Sequence, residues 1–268
     1  SARQAGGRWL LRIEDLDKPR EQPGAATAII RTLAAYGFHW DGDILYQSQR
    51  LAAYREALAV LSKHTYPCTC SRNMLQKQGR LGNHGLIYPN TCRNRPHLPP
   101  PQHAHAIRVL THDEPICFND QIQGHYCQRL ASEVGDFVVL RADGIFAYQL
   151  AVVVDDAFQG VNQIVRGADL LGNTPRQIHL QRLLGLPQPS YAHVPLALNE
   201  LGQKLSKQNL APALSTSTRL TTLVTCLRFL QQDCPAAAEF ANLEECWQWA
   251  LQHWDMQRIQ PNTTMEST

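Results

Sequence analysis

The fold is decided by residues 9–17, WLLRIEDLD, where a short apolar run ends in a cluster of charges. An apolar run of this kind is typical of a buried strand, and open α/β sheets bind ligands beyond the carboxyl ends of their strands. The stretch therefore predicts an α/β domain with a ligand site after the strand. A carboxylate there, such as Glu14, suits the ammonium group of a substrate. The alternative is a charged loop that caps the next helix.

The periodicity on either side extends this α/β pattern. A helix is expected to begin at Pro23 and to end at Gly37, because proline suits the first turn of a helix and glycine the position after its last turn. Ser48 is expected to cap a second helix. Further along, the pattern predicts strands at residues 106–110, 137–140, 145–148 and 161–166, a helix over residues 173–185, and helices after residue 207.

Composition limits the classes of protein to which the chain can belong. With 44% apolar residues and a net charge of +2 it is a folded protein, and no apolar run is long enough to span a membrane. The first residues lack the pattern of a secretory signal, so the expected compartment is the reducing cytoplasm. No Asp or Glu occurs between Glu56 and Asp113, although Lys and Arg do, and this favours contact with a phosphate backbone. A solvated loop region that has few acids by chance is the alternative.

Cysteine spacing indicates a metal site in the middle of the chain. Cys68 and Cys70 are followed by His84, Tyr88 and Cys92, in a region without helical or strand periodicity. Thiolates are ligands of tetrahedral Zn²⁺ sites, and with three cysteines the fourth ligand is His84 or Tyr88. Three unrelated reduced thiols are the alternative. The remaining cysteines are assigned to the core or the surface: Cys117, Cys127, Cys226, Cys234 and Cys246.

Two further patterns suit anionic substrates. Lys204 and Lys207 lie in the segment GQKLSKQN and could neutralise phosphate charge during nucleotidyl transfer, although basic surface loops of this kind are common. Arg166 ends a predicted strand, where its fork of donors suits a carboxylate. The alternative for Arg166 is a structural ion pair with Asp155 or Asp169.

Taken in chain order, these segments resemble the class I aminoacyl-tRNA synthetases specific for glutamate. RIEDLD (residues 12–17) is similar to the family's R-I-E-D-T-D segment, and DGIFAYQLAVVVDD (143–156) to its D-G-x-x-x-Y…A-V-V-V-D-D block. VRG (165–167), NTPRQ (173–177) and KLSK (204–207) follow in the family's order and spacing. The resemblance covers residues 1–214. It implies the α/β, Rossmann-like nucleotide-binding fold of class I synthetases, with a zinc-clipped insertion and a short helical C-terminus.

Two differences from the longer members of the family point to a short subfamily that acts on tRNA(Asp). Only 61 residues follow Lys207, too few for a helical anticodon-binding domain, and Ala168 stands where the longer enzymes usually carry Glu. The Cys-x-Cys…Tyr-x-x-x-Cys pattern is also that of the subfamily. Membership implies activation of L-glutamate with ATP and Mg²⁺, and its transfer to the queuosine of the tRNA(Asp) anticodon. The expected form is a cytoplasmic monomer with no membrane partner.

The resemblance also implies a role for each site residue. Glu14 would hold the ammonium group of glutamate, Tyr148 would contact the amino acid, and Arg166 would recognise its carboxylate. Lys207, aided by Lys204, would neutralise the α-phosphate region of ATP as pyrophosphate leaves. The family pattern makes Tyr88 the fourth ligand of one structural Zn²⁺, whose ligands would be Cys68, Cys70, Tyr88 and Cys92.

One element of the family has no counterpart in the sequence. Class I synthetases carry an H-I-G-H-type element after their first strand, and both would stand before Ser1, which reads as mid-helix. We therefore expect residues upstream of Ser1, and without that element adenylation would be weak. The alternatives are a truncated glutamyl-tRNA synthetase that charges a tRNA 3′ end and a non-catalytic, zinc-containing RNA-binding remnant. The predicted divisions are 1–65 (first half of the catalytic domain), 66–135 (zinc-binding and acceptor-side insertion), 136–214 (second half, with the signature loop) and 215–268 (short helical segment, no anticodon-binding domain).

Overall fold

The computed structural model describes residues 1–82, 85–94, 104–199, 202–205 and 213–261. The strands are β1 Arg12–Ile13, β2 Leu45–Tyr46, β3 Thr65–Cys68, β4 Arg80–Gly82, β5 Gly85–Ile87, β6 Ala106–Val109, β7 Pro115–Asp120, β8 Gly124–Arg129, β9 Phe137–Leu140, β10 Gln163–Gly167 and β11 Ser190–Val194. The helices are α1 Ala25–Ala35, α2 Leu51–Val60, α3 Arg72–Gln78, α4 Leu130–Glu133, α5 Tyr148–Gln159, α6 Thr174–Leu184, α7 Arg219–Phe229 and α8 Leu243–His253.

Two parallel strand pairs with helical crossovers form the α/β part of the fold. β1 pairs with β2 across the connection that contains α1, and β10 pairs with β11 across the connection that contains α6. Parallel neighbours require such a crossover. β7 and β8 extend the second pair into a sheet of order β10-β11-β7-β8, in which β8 is antiparallel to β7. The predicted α/β class is therefore confirmed.

The start of the chain agrees with the predicted helix but not with the predicted cap. α1 begins after Pro23 and ends before Gly37, whose φ of 79° is left-handed. A Cβ on Gly37 would lie 2.9 Å from the indole nitrogen of Trp247, so glycine also allows α8 to approach. The prediction that Ser48 caps α2 is wrong. Ser48 precedes that helix in a 3-10 turn, and its N–H and hydroxyl both donate to Asp15.

The region without periodicity contains short elements that the sequence did not reveal. β3, which was not predicted, pairs with β6, and β6 with β9, in an antiparallel sheet. β6 and β9 confirm the strands predicted at residues 106–110 and 137–140. α3 follows β3, and Ser71 caps it by accepting a hydrogen bond from the N–H of Met74 (3.2 Å). β4 and β5 form a separate hairpin. Elements this short do not span enough residues for a period to show.

The turn at Asp143 and Gly144 is present, but the strand predicted after it is wrong. Gly144 has a left-handed φ of 82°, and Leu140 forms an isolated antiparallel bridge with Phe146. The pairing ends there, because α5 begins at Tyr148. Tyr148 therefore lies in the first turn of a helix, and residues three or four positions apart along α5 share its face.

The main apolar core surrounds α5 and α6. Leu150, Ile178 and Leu180 are fully buried in it, and burial of each stabilises the fold by about 2 kcal/mol. The predicted C-terminal helices are α7 and α8, which form a second apolar cluster. The indole N–H of Trp247 donates to the carbonyl of Tyr36 (2.8 Å) and so joins α8 to the end of α1. Within the described ranges, no helix has the length and apolar character needed to cross a membrane.

β7 and β8 are joined by a disulfide that the sequence did not predict. Cys117 and Cys127 lie opposite each other in the antiparallel register and are bonded. Their assignment as unpaired core or surface cysteines is therefore wrong. The pairing depends on strand register, which could not be known before the hairpin was recognised.

Candidate functional site

A cavity of about 830 Å³ lies where the chain before and just after β1, the strand β10 and one face of α5 meet. Its lining includes three of the predicted substrate residues, Glu14, Tyr148 and Arg166, together with Arg12 and Asp156. We call this space and these five residues the charged cavity. With Arg8, which also lines the cavity, three guanidinium groups and two carboxylates border one space, which suits a ligand with charges of both signs.

α5 supplies one wall of the charged cavity through a single face. Tyr148, Val152, Asp156 and Gln159 all line the cavity, and side chains three or four residues apart lie on the same side of a helix. Asp156 was not predicted as a site residue. The signal that could have found it is its helical spacing from Tyr148, which was hidden because Tyr148 was assigned to a strand.

Arg12 connects the acidic groups of the charged cavity. Its Nη1 donates to Asp156 Oδ1 (2.7 Å) and to Gln159 Oε1 (3.0 Å), and its Nη2 donates to Glu14 Oε1 (3.3 Å). Burial raises the pKa of both Glu14 and Asp156, and Arg12 opposes this rise. The Glu14 side chain is 39% exposed, so its carboxylate is accessible to a ligand.

Asp155 and Asp156, adjacent near the end of α5, make contacts in different parts of the fold. Asp155 is fully buried and accepts hydrogen bonds from Arg50 Nε (2.9 Å) and the Tyr54 hydroxyl (2.6 Å). These contacts join α2 to α5. Asp156, one residue later, points toward the charged cavity, as its contact with Arg12 and its place in the lining require.

Arg166 is held at the edge of the charged cavity by an imidazole and a hydroxyl group rather than by a carboxylate. Its Nε donates to His193 Nε2 (3.1 Å), and its Nη2 donates to Thr174 Oγ1 (2.9 Å). The alternative interpretation, an ion pair with Asp155 or Asp169, is wrong: both acids pair with other bases. Over the described ranges, Arg166 forms no ion pair with a carboxylate of the chain.

The KLSK segment (residues 204–207) contains two lysines, of which the structure describes Lys204. Lys204 forms an ion pair with Asp169, which follows the end of β10. Its backbone forms an isolated antiparallel bridge with Leu198. Lys207 lies outside the described residues, so its predicted contact with ATP stays a prediction.

The three cysteines of the insertion converge with Tyr88, and we call Cys68, Cys70, Tyr88 and Cys92 the thiol cluster. The three sulfurs lie within 4.8 Å of one another. The Tyr88 hydroxyl is 3.5 Å from Cys68 Sγ and 3.8 Å from Cys70 Sγ. Three sulfurs and an oxygen around one centre are a donor set that fits a tetrahedral Zn²⁺. His84, the other candidate for fourth ligand, lies outside the described residues.

Hydrogen-bond donors surround Cys68 and Cys92, whereas burial raises the pKa of the Cys70 thiol to about 11. Arg108 Nε donates to Cys68 Sγ (3.2 Å), and the guanidinium group lies over the Tyr88 ring, 3.8 Å from its centroid. Burial raises the pKa of Cys92, but hydrogen bonds from the Thr69 backbone and from Tyr88 outweigh it and lower that pKa to about 7. Cationic and hydrogen-bonding neighbours are what a negatively charged ligand set needs before a metal binds.

A buried carboxylate fastens this cluster to the rest of the fold. Asp136 is fully buried and accepts hydrogen bonds from the Tyr66 hydroxyl (2.6 Å), from Arg93 Nη1 (2.9 Å) and from the N–H (2.7 Å) and hydroxyl (2.8 Å) of Thr111. Tyr66 packs against the cluster, and Arg93 follows Cys92 in the chain. The insertion is thereby anchored to β9.

The basic stretch that the sequence assigned to nucleic-acid contact divides into two groups. Arg93 and Arg108 turn inward to Asp136 and Cys68, so they are structural. Among the described residues of the stretch, the Lys and Arg side chains left at the surface are Lys63, Arg72, Lys77 and Arg80. Arg95 lies outside the described residues.

Comparison with known proteins extends these observations. Residues 1–221 match the family described as "tRNA synthetases class I (E and Q), catalytic domain". A glutamyl-Q tRNA(Asp) synthetase of Thiobacillus denitrificans is 54% identical over 260 residues, which cover 96% of this chain and 86% of that protein. One of Aromatoleum aromaticum is 52% identical over 257 residues, or 95% of this chain and 81% of that protein.

Two solved structures share the fold. The glutamate–tRNA synthetase of Elizabethkingia anophelis superposes with a TM-score of 0.78 at 20% identity, and it covers 99% of this chain. A glutamate–tRNA ligase of Elizabethkingia meningosepticum, in complex with its amino acid, gives a TM-score of 0.75 at 20% identity. The chain spans 63% and 62% of the length of these two proteins. Identity at this level establishes the fold and nothing finer.

Proposed function

The chain belongs to the class I tRNA synthetases of the glutamate and glutamine type, and on this premise we propose that it activates L-glutamate with ATP·Mg²⁺ and transfers it to queuosine in the anticodon of tRNA(Asp). The names of its relatives favour this acceptor. We also propose that it works as a monomer in the cytoplasm, where its tRNA substrate occurs.

The observation that carries the proposal is the charged cavity. Free glutamate has one ammonium group and two carboxylates, and the cavity of about 830 Å³ offers acidic and guanidinium groups together. We assign the ammonium group to Glu14, contact with the amino acid to Tyr148, and a carboxylate of the substrate to Arg166. Arg166 suits this role because its charge is not already paired with an acid of the described chain.

In the proposed reaction, a carboxylate oxygen of glutamate attacks the α-phosphorus of ATP and pyrophosphate leaves. A hydroxyl of the queuosine cyclopentene-diol then attacks the adenylate carbonyl, and AMP leaves. The protein performs no covalent step, so catalysis rests on positioning and on neutralising phosphate charge. We assign that neutralisation to Lys207, with Lys204 beside it.

We propose one structural Zn²⁺ at the thiol cluster, with Cys68, Cys70, Tyr88 and Cys92 as ligands. A bound Zn²⁺ with four protein ligands holds a small fold together and has no open position for chemistry. The residues themselves support this, because their donor atoms converge and Arg108 compensates the charge of a thiolate.

The experiment that tests the function is the attachment of radiolabelled glutamate to purified tRNA(Asp), with and without queuosine, by the natural full-length protein. We expect label only on the queuosine-containing tRNA. The label should persist when the 3′-terminal adenosine has been removed, because the acceptor lies in the anticodon.

Two results would contradict the proposal. Label on the 3′ end of tRNA(Glu) would identify an ordinary glutamyl-tRNA synthetase. Absence of both label and glutamate-dependent pyrophosphate exchange, with tRNA binding retained, would identify a non-catalytic RNA-binding protein.

A further inference from the structure

Behind Arg166 lies a buried pair of side chains that the proposed reaction does not use directly. His193 and Asp120 are both fully buried, with no exposed side-chain surface. His193 lies on β11 directly opposite Arg166 on β10, and Asp120 ends the next strand of the same sheet, β7. Three neighbouring strands thus bring an acid, an imidazole and a guanidinium group into one line.

The contacts fix which atoms carry protons. Asp120 Oδ2 lies 2.5 Å from His193 Nδ1, and Asp120 Oδ1 accepts hydrogen bonds from the backbone N–H groups of Ile122 (3.0 Å), Gln123 (2.8 Å) and His193 (3.0 Å). Burial raises the pKa of Asp120, but these hydrogen bonds outweigh it and lower the pKa below its usual value. An ionised Asp120 only accepts, so His193 Nδ1 carries a proton and donates it.

The other imidazole nitrogen is therefore defined as well. Arg166 has only donors, and its Nε points at His193 Nε2. A neutral imidazole protonated on Nδ1 has a lone pair on Nε2, which accepts this hydrogen bond. A proton on Nε2 would instead face the N–H of Arg166, with two donors opposed.

We propose that Asp120 and His193 are positioning residues for Arg166: Asp120 selects the imidazole tautomer, and the tautomer sets the orientation in which Arg166 meets the substrate carboxylate. Thr174 completes the arrangement by accepting from Arg166 Nη2. The arrangement orients Arg166 without neutralising it, since its two partners are uncharged. This inference rests on the proposed role of Arg166 in glutamate binding.

The decisive variant is Asp120→Asn. The amide oxygen must take the Oδ1 position, where it meets three backbone N–H groups, so the NH₂ group must face His193 Nδ1. That nitrogen then becomes an acceptor, the proton moves to Nε2, and Arg166 Nε loses its acceptor. We expect L-glutamate to bind about tenfold more weakly, the loss typical of one hydrogen bond to a charged group, while ATP affinity and unfolding temperature change little.

The measurements are calorimetric affinities for L-glutamate and for ATP, and the ¹⁵N NMR signal of the His193 ring, which reports the tautomer. Asp143→Asn, the same change in an exposed turn, is the matched control. Arg166→Lys is the reference. If Arg166→Lys leaves glutamate affinity unchanged, the proposed role of Arg166 fails. If it weakens binding and Asp120→Asn does not, only the positioning role is overturned.

A second pair of variants decides the matter if Asp120→Asn does not fold. Gln at position 193 can donate to Asp120 and accept from Arg166, whereas Leu can do neither. We expect His193→Gln to stay within about threefold of the wild-type glutamate affinity and His193→Leu to lose about tenfold. Equal losses in both variants, or parallel losses of glutamate and ATP binding, would indicate a purely structural pair and overturn the inference.

Discussion

The charged cavity and the thiol cluster are both polar, but they are built in opposite ways. In the charged cavity, Glu14 and Arg166 keep part of their hydrogen-bonding capacity directed at open space. In the thiol cluster, the donor atoms of Cys68, Cys70 and Cys92 face one another, and aromatic side chains cover them.

This difference matches the two proposed roles, in which the charged cavity exchanges a substrate and the thiol cluster holds a metal permanently. A substrate must enter and leave, so the groups that bind it must be satisfied by water between turnovers, which requires exposure. A structural metal need not leave, and its ligands can be buried because the metal satisfies them. The same contrast predicts where mutations will affect stability and where they will affect binding.

The largest effect is expected at the thiol cluster. Cys92→Ala removes one of four ligands, and we expect the bound zinc to fall from one ion per chain to none. The metal-binding free energy lost is on the order of 10 kcal/mol, so β3 and β6 should lose protection from hydrogen exchange. Metal analysis and exchange mass spectrometry measure the two effects.

Cys226→Ala is the matched control, because this exposed cysteine of α7 lies outside the cluster. A wild-type protein purified without added chelator that contains no zinc would contradict the proposed metal site.

The next largest effect is expected at Asp136, the anchor of the insertion. Asp136→Asn keeps the shape of the side chain but places an NH₂ group against donors, and it leaves Arg93 without its counter-charge. Breaking a buried pair in this way costs about 3 kcal/mol, measured by urea denaturation. Glutamate affinity should change by less than twofold, since Asp136 does not line the charged cavity. A large loss of affinity with unchanged stability would reverse the distinction between the two regions.

The smallest effect on free energy is expected in the charged cavity, and it concerns binding. Glu14→Gln removes the proposed partner of the substrate ammonium group, and we expect glutamate to bind roughly tenfold to a hundredfold more weakly, the loss of a charge-assisted hydrogen bond. Calorimetry measures this change. Unaltered affinity would remove Glu14 from the site.

The same variant should not destabilise the free protein at neutral pH. The pKa of folded Glu14 is raised above its usual value of 4.5, first by burial. Its contribution to stability is therefore present below the usual value and is lost as the pH rises through the raised one. A neutral glutamine carries no such penalty at pH 7, so thermal unfolding should occur at an equal or higher temperature than in the wild type. The difference should vanish in acid.

Sequence patterns predicted the elements that span enough residues to show a period. α1, α6 and the C-terminal helices follow apolar spacing and the glycine that ends each of the first two. The first turn of α5 was misread as a strand because Ile145, Phe146 and Tyr148 follow a hairpin-forming Asp-Gly turn, which is a strong local signal. β3, β4, β5 and the β7–β8 hairpin gave no such signal.

The only residues of the candidate site that the sequence predicted are those that belong to sequence motifs. Glu14, Tyr148 and Arg166 belong to recognisable segments, and they line one cavity. Asp120 and His193 belong to none, and no local pattern connects residues on strands so far apart in the chain. The order of the strands decides which residues meet across a sheet. Asp120 and His193 therefore could not be predicted from local sequence patterns.

The ion pair between Lys204 and Asp169 has a consequence for the proposed reaction of nucleotide with amino acid. Asp169 lies three residues beyond Arg166, so the pair keeps the charge of Lys204 balanced near the end of β10. An exposed pair of this kind is worth about 1 kcal/mol or less, so the triphosphate of the proposed nucleotide substrate would displace the carboxylate at little cost in free energy. In the ion pair, the carboxylate of Asp169 balances the charge of Lys204, and this reduces the electrostatic repulsion between Lys204 and Arg166.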